Sequence, residues 1–170
     1  MEPNKHKEET KVSLTFNTSE LMYDIKNYAY IEGNIMADDE RKFQVTDIAE
    51  DGNKDRVTRM LNLAHAECVE MLYPYTKMDI SSTEKDNILE LPDIFKIDMN
   101  ANSGFSQTTI NMLSLLIHEY MVNRVVADWM SINKPESQTN WEIKLEDSRY
   151  KIKSTISNRR GPVKRRLQPF

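Results

Sequence analysis

Apolar and polar positions alternate with period two near the start of the chain, and over most of the rest they follow helical spacing. Lys11-Val12-Ser13-Leu14-Thr15-Phe16 puts Val12, Leu14 and Phe16 on one face, which predicts a half-buried strand. Asn17-Thr18-Ser19 offers capping side chains for a helix beginning near Glu20. Leu21, Ile25, Tyr28 and Ala29 form its apolar face, and the pattern weakens past Glu32-Gly33. Residues 37–47 are charged and show no clear period, and Asp51-Gly52-Asn53 is a turn signal. Val57, Met60, Leu61, Ala64, Cys68, Met71 and Leu72 then recur at helical spacing. Pro74 stops that helix, because proline has no N–H to donate and restricts the residue before it. Ile88-Leu89-Glu90-Leu91 and Ile94-Phe95-Lys96-Ile97-Asp98-Met99 predict two strand segments broken at Pro92-Asp93. A proline there fits an edge strand or a bend, and Phe95, Ile97 and Met99 share a face.

Ser106 is a suitable N-cap for the longest predicted helix, 107–131. Its apolar residues cover more than one stripe, as expected of a helix at the centre of a bundle or against a partner chain. Asn133-Lys134-Pro135 is a turn that leaves proline at the first position of a final helix. That helix carries Trp141, Leu145, Ile152 and Ile156 on one side, and Gly161-Pro162 ends it. The order β-α-α-β-α-α predicts a mainly α fold: a helical bundle with a small two-stranded β element and an extended basic C-terminal tail. Residues 1–10 read as a polar N-terminal arm, 11–157 as a single helical domain with its β ribbon, and 158–170 as the tail. An isolated two-stranded ribbon is marginal in water, so the strands either pack on the bundle or pair with a neighbour's strand.

A chain of 170 residues is one domain by size, with enough length for one hydrophobic core. Its one cysteine, Cys68, falls on an apolar helical stripe, which leaves no intramolecular disulfide and suggests a reducing compartment. The first ten residues lack an apolar core of the signal-peptide kind, and no stretch approaches a membrane span.

Charge changes the picture most. Asp147 is the last acidic residue, and Arg149, Lys151, Lys153, Arg159, Arg160, Lys164, Arg165 and Arg166 follow it. Residues 1–148 hold 15 basic and 27 acidic side chains, whereas the last 22 residues hold 8 basic and none acidic. An acidic body with a basic tail suits two uses: neutralising phosphates, or lying on the acidic body of a neighbouring copy. Basic residues near a helix C-terminus also favour the dipole, which accounts for Lys151 and Lys153 but not for the cations beyond the helix. Eight cations would give salt-dependent, sequence-independent nucleic-acid binding, yet the tail lacks interleaved aromatics for base stacking. Docking on a neighbour accounts in addition for Leu167, Pro169 and Phe170, an apolar hook after Arg159, Arg160, Lys164, Arg165 and Arg166.

Candidate chemistry is thin. His118-Glu119 evokes a zinc-protease helix, but position 122 is Val where a second His is needed. His65 lies three residues before Cys68, but the thiol sits on an apolar stripe and reads as core. Asp38, Asp39, Glu40, Asp47, Glu50, Asp51 and Asp55 have no spacing beyond that of a solvated acidic loop. No phosphate-binding Gly-rich loop or nucleophile elbow is present. The chain reads as a non-enzyme with no catalytic residue, metal or cofactor.

Three stretches carry a family resemblance: Leu61-Asn62-Leu63-Ala64-His65-Ala66-Glu67-Cys68 running into Leu72-Tyr73-Pro74-Tyr75-Thr76, Leu116-Ile117-His118-Glu119-Tyr120 through Ala127-Asp128-Trp129, and Arg165-Arg166-Leu167-Gln168-Pro169-Phe170. Together they resemble small structural proteins of tailed phages and prophages of Bacteroides-type gut bacteria, including crAss-like phages. The resemblance implies a virion protein made in the bacterial cytoplasm: a head–tail connector or tail-ring subunit that forms a homo-oligomeric ring, commonly of twelve, between portal and tail proteins. It implies that 159–170 is an anchor and that some basic side chains face DNA in the ring lumen. Phe95, Ile97, Trp129 and Trp141 are then candidates for the subunit interface, and strand addition between subunits is a further expectation. The alternative is a small nucleic-acid-binding or packaging accessory protein that uses the basic tail.

Overall fold

Thr10–Asn17 forms strand β1 and Ile94–Ala101 forms β2, paired antiparallel with Leu14 opposite Ile97 and Phe16 opposite Phe95. The computed structural model describes residues 10–36, 41–80 and 90–158. In this register the alternating residues of both strands share one apolar face, which packs on the helices. The outer face is polar, with Ser13 donating to Asp98 and Lys96 Nζ 3.1 Å from the same carboxylate. The ribbon is therefore held by the chain's own bundle. Of the other expected strand segment, Glu90 and Leu91 are not in a strand, and Ile88 and Leu89 lie outside the described residues. The arm also ends earlier than expected, since Thr10 already belongs to β1.

Helix α1 spans Thr18–Ile35. Asn17 holds the N-cap position, but its amide donates to Glu20 Oε1 (3.1 Å) rather than accepting from the helix. Thr18 instead ties the helix to the approach to β2, its N–H donating to Asp93 O at 3.0 Å and its hydroxyl to Pro92 O. The charged stretch without a period contains a short helix, α2 (Arg41–Thr46), followed by two 3-10 turns, Asp47–Ala49 and Asp51–Asn53. Its buried anchors are Val45 and Ile48, too few to show a repeat. Gly33 lets α2 approach α1, because a Cβ there would lie 2.6 Å from Thr46 Cγ2.

Helix α3 spans Lys54–Met71 and buries Val57, Leu61, Ala64 and Cys68, as its periodicity predicts. The following Tyr73–Pro74 bond is cis. Helix α4 (Gln107–Asn133) is the central element, with the Ser106 side chain accepting from Thr109 N–H at 3.2 Å. Leu113, Ile117, Tyr120, Met121, Val125 and Trp129 are buried around it, against α1, α3 and a last helix. That last helix, α5 (Pro135–Ser157), begins at its proline and folds back along α4 with Trp141, Leu145, Ile152 and Ile156 inward. One core runs from Leu14 to Ile156. The fold is mainly α with a small two-stranded β element, as the pattern predicts.

Candidate docking surface

The four candidate interface residues are core residues of this chain. Phe95 and Ile97 pack under the ribbon, with the His65 ring 5.2 Å from that of Phe95. The Trp129 indole donates to Val45 O at 2.8 Å, and the Trp141 indole donates to Glu32 Oε1 at 3.0 Å. The bundle's own helices cover the apolar face that a partner would have used. The other candidates, Arg159, Arg160, Lys164, Arg165, Arg166, Leu167, Pro169 and Phe170, lie outside the described residues, as do Asp38, Asp39 and Glu40.

Among the described residues one open surface is the groove between α1 and α4. Ser19, Glu20, Tyr23 and Asp24 line it from α1, and Leu115 and His118 from α4, around a volume of about 460 Å³. Tyr23 and Leu115 are each 70% exposed, a high value for large apolar side chains facing one another across a groove. His118 Nε2 lies 2.7 Å from Asp24 Oδ2, which holds the two walls together. The groove thus combines an apolar lining with carboxylates at 20 and 24, one turn apart on α1.

The opposite end of α1 is closed. Lys134, only 7% exposed, places Nζ 2.6 Å from Glu32 Oε2 and 3.1 Å from Glu32 O. Ser137 Oγ donates to Oε2 at 3.0 Å, and the Trp141 indole takes Oε1. Burial alone raises the Glu32 pKa, but the hydrogen bonds from Lys134, Ser137 and Trp141, with the lysine charge, outweigh it and hold the carboxyl below its usual range. A second polar node joins α3, α4 and α5: the Tyr120 hydroxyl donates to Glu67 Oε2 (2.7 Å) and accepts from Arg149 Nη2 (3.1 Å). Burial, then the bond to Glu67, push the Tyr120 phenol up to about 12.

His65 and Cys68, two of the residues weighed for chemistry, are built into the packing of the body. His65 Nε2 lies 3.0 Å from Lys96 O, bridging α3 to β2. Cys68 is buried, and burial followed by the Glu67 charge push its thiol well up, away from nucleophilic character. Among the described residues no group of three or more His, Cys, Asp or Glu is placed to hold a metal ion, and no helix is long and apolar enough to cross a membrane.

Nothing in the sequence pattern singles out Glu20, Tyr23, Asp24 and Leu115 as one surface. The available signal was an aromatic between two acids on the polar side of α1, but its partner Leu115 is about ninety residues away and only the fold brings them together. No family model, curated protein or solved structure matches the chain.

Proposed function

We propose that this chain is a virion structural protein, a ring-forming head–tail connector or tail-ring subunit linking portal and tail. Its basic segment 159–170 docks on the acidic body of a neighbouring copy. The observation that carries the reading is the division of charge along the chain, with 27 acids confined to residues 1–147 and 8 cations with no acid among them after that. Such a division opposes contact between two bodies and favours contact between a body and a tail, which fixes register more than it adds affinity. A contact of that kind is heterologous, and when its rotation closes it yields a ring. The resemblance to phage connector proteins supports the same reading. The subunit works with portal and tail proteins, needs no cofactor and resides in the virion after synthesis in the bacterial cytoplasm.

The eight cations also favour a second reading, a nucleic-acid-binding or packaging accessory protein. Electron microscopy of the concentrated chain, with a salt titration of duplex DNA binding, separates the two. Closed rings without DNA support the connector. A monomer whose only association is with DNA, weakening steeply with salt, overturns it.

A further inference from the structure

We infer that the α1–α4 groove is the receptor for segment 159–170 of a second copy. The inference rests on the tail-docking reading above and adds the receiving site. Three observations converge. The groove pairs acids with exposed apolar surface, Glu20 and Asp24 beside Tyr23 and Leu115. The segment carries the complementary pattern, with Arg165-Arg166 followed by Leu167 and Phe170. Guanidinium groups bind carboxylates in fork geometry and stack on aromatic faces, so an Arg-Arg-Leu run meets acids, Tyr23 and Leu115 with matching chemistry. The third observation is position. Asn123 bonds Ser148 and Tyr120 bonds Arg149, so α5 runs back along α4 and ends towards the half of α4 that carries Leu115 and His118, with its last turn beside Glu70, Met71 and Tyr73.

Twelve residues span at most about 40 Å when extended, enough to leave one body and reach the next. A second copy is the occupant because residues 1–148 carry an excess of twelve negative charges, and the tail is the cationic segment that can bridge two such bodies.

The test uses two full-length variants with opposite charge reversals. One carries Glu20→Lys and Asp24→Lys, so that groove and tail are both basic; the other carries Arg165→Glu and Arg166→Glu, so that both are acidic. Native mass is measured for the wild type, for each variant and for their equimolar mixture, with circular dichroism confirming the fold. The expected result is at least tenfold weaker self-association of each variant alone and recovery in the mixture, which only contact between copies can produce. Leu115→Arg, which leaves the His118–Asp24 bond intact, weakens association likewise and serves if the charge reversals misfold.

Loss of association in the tail variant without loss in the groove variants moves the receptor elsewhere and overturns this inference, while tail docking stands. A wild type that stays monomeric at every concentration and salt overturns docking itself, and the inference with it. A benzophenone photo-crosslinker at position 170 that reaches the groove only within its own chain also overturns the assignment to a second copy.

Discussion

Glu32 shows how one residue can close one end of the bundle. Its carboxylate accepts from Lys134, Ser137 and Trp141, three side chains from the α4–α5 junction and the start of α5. Removing one member of a buried charged pair leaves the other uncompensated, so Glu32→Ala is expected to cost about 3 kcal/mol in urea unfolding at pH 7. The folded carboxyl lies below its usual value, so its stabilisation is fully present above the unfolded pKa and is lost as pH falls through the folded one. The stability gap between wild type and Glu32→Gln should therefore narrow on acidification below about pH 4.5. A gap independent of pH would mean that the charge is irrelevant. Tyr120 acts at the alkaline end. Its folded pKa of about 12 exceeds the unfolded value near 10, so its contribution holds below pH 10 and declines as pH rises towards 12. Tyr120→Phe should remove that part of the alkaline decline. Cys68 was legible from its place on an apolar stripe, whereas Glu32 was not, because its partners lie about a hundred residues away.

The long helices could be read from the sequence because each repeats its apolar face over several turns. The same holds for the ribbon, whose two period-two faces allow the register that buries Phe16 opposite Phe95. Helix α2 leaves no legible period in the sequence, for a physical reason. Six residues make less than two turns, and Val45 and Ile48 alone cannot establish a period among charges. What reports α2 is Gly33, whose missing Cβ leaves room for Thr46. Gly33→Ala should destabilise the chain by about 1–3 kcal/mol through overpacking, despite the better helix propensity of alanine. Adding Thr46→Ser removes the opposing methyl and keeps the hydroxyl that donates to Phe43 O, so the double variant should recover most of the loss in thermal unfolding. Additive destabilisation would show that the two residues do not meet.

At the scale of the whole molecule, the described body is a finished core with an unusual surface. Trp129 and Trp141, candidates for the subunit interface on the sequence, are buried in this chain's own core. Exposed apolar surface remains on the polar side of α1 and the first half of α4, beside acids. A sequence shows which face of a helix is apolar, but which helices meet, and what they leave uncovered, follows only from packing. The separation of charge along the chain needed no structure, and the proposed docking would weaken as ionic strength rises. Among the described residues the core runs from Leu14 to Ile156, in the last turn of α5. The most direct test is therefore the native mass of the full chain beside a chain ending at Asn158, each at low and high salt. The account predicts oligomers of the full chain that weaken with salt, and a shortened chain that stays monomeric with nearly unchanged helix content. Equal masses for the two chains under all conditions would contradict it.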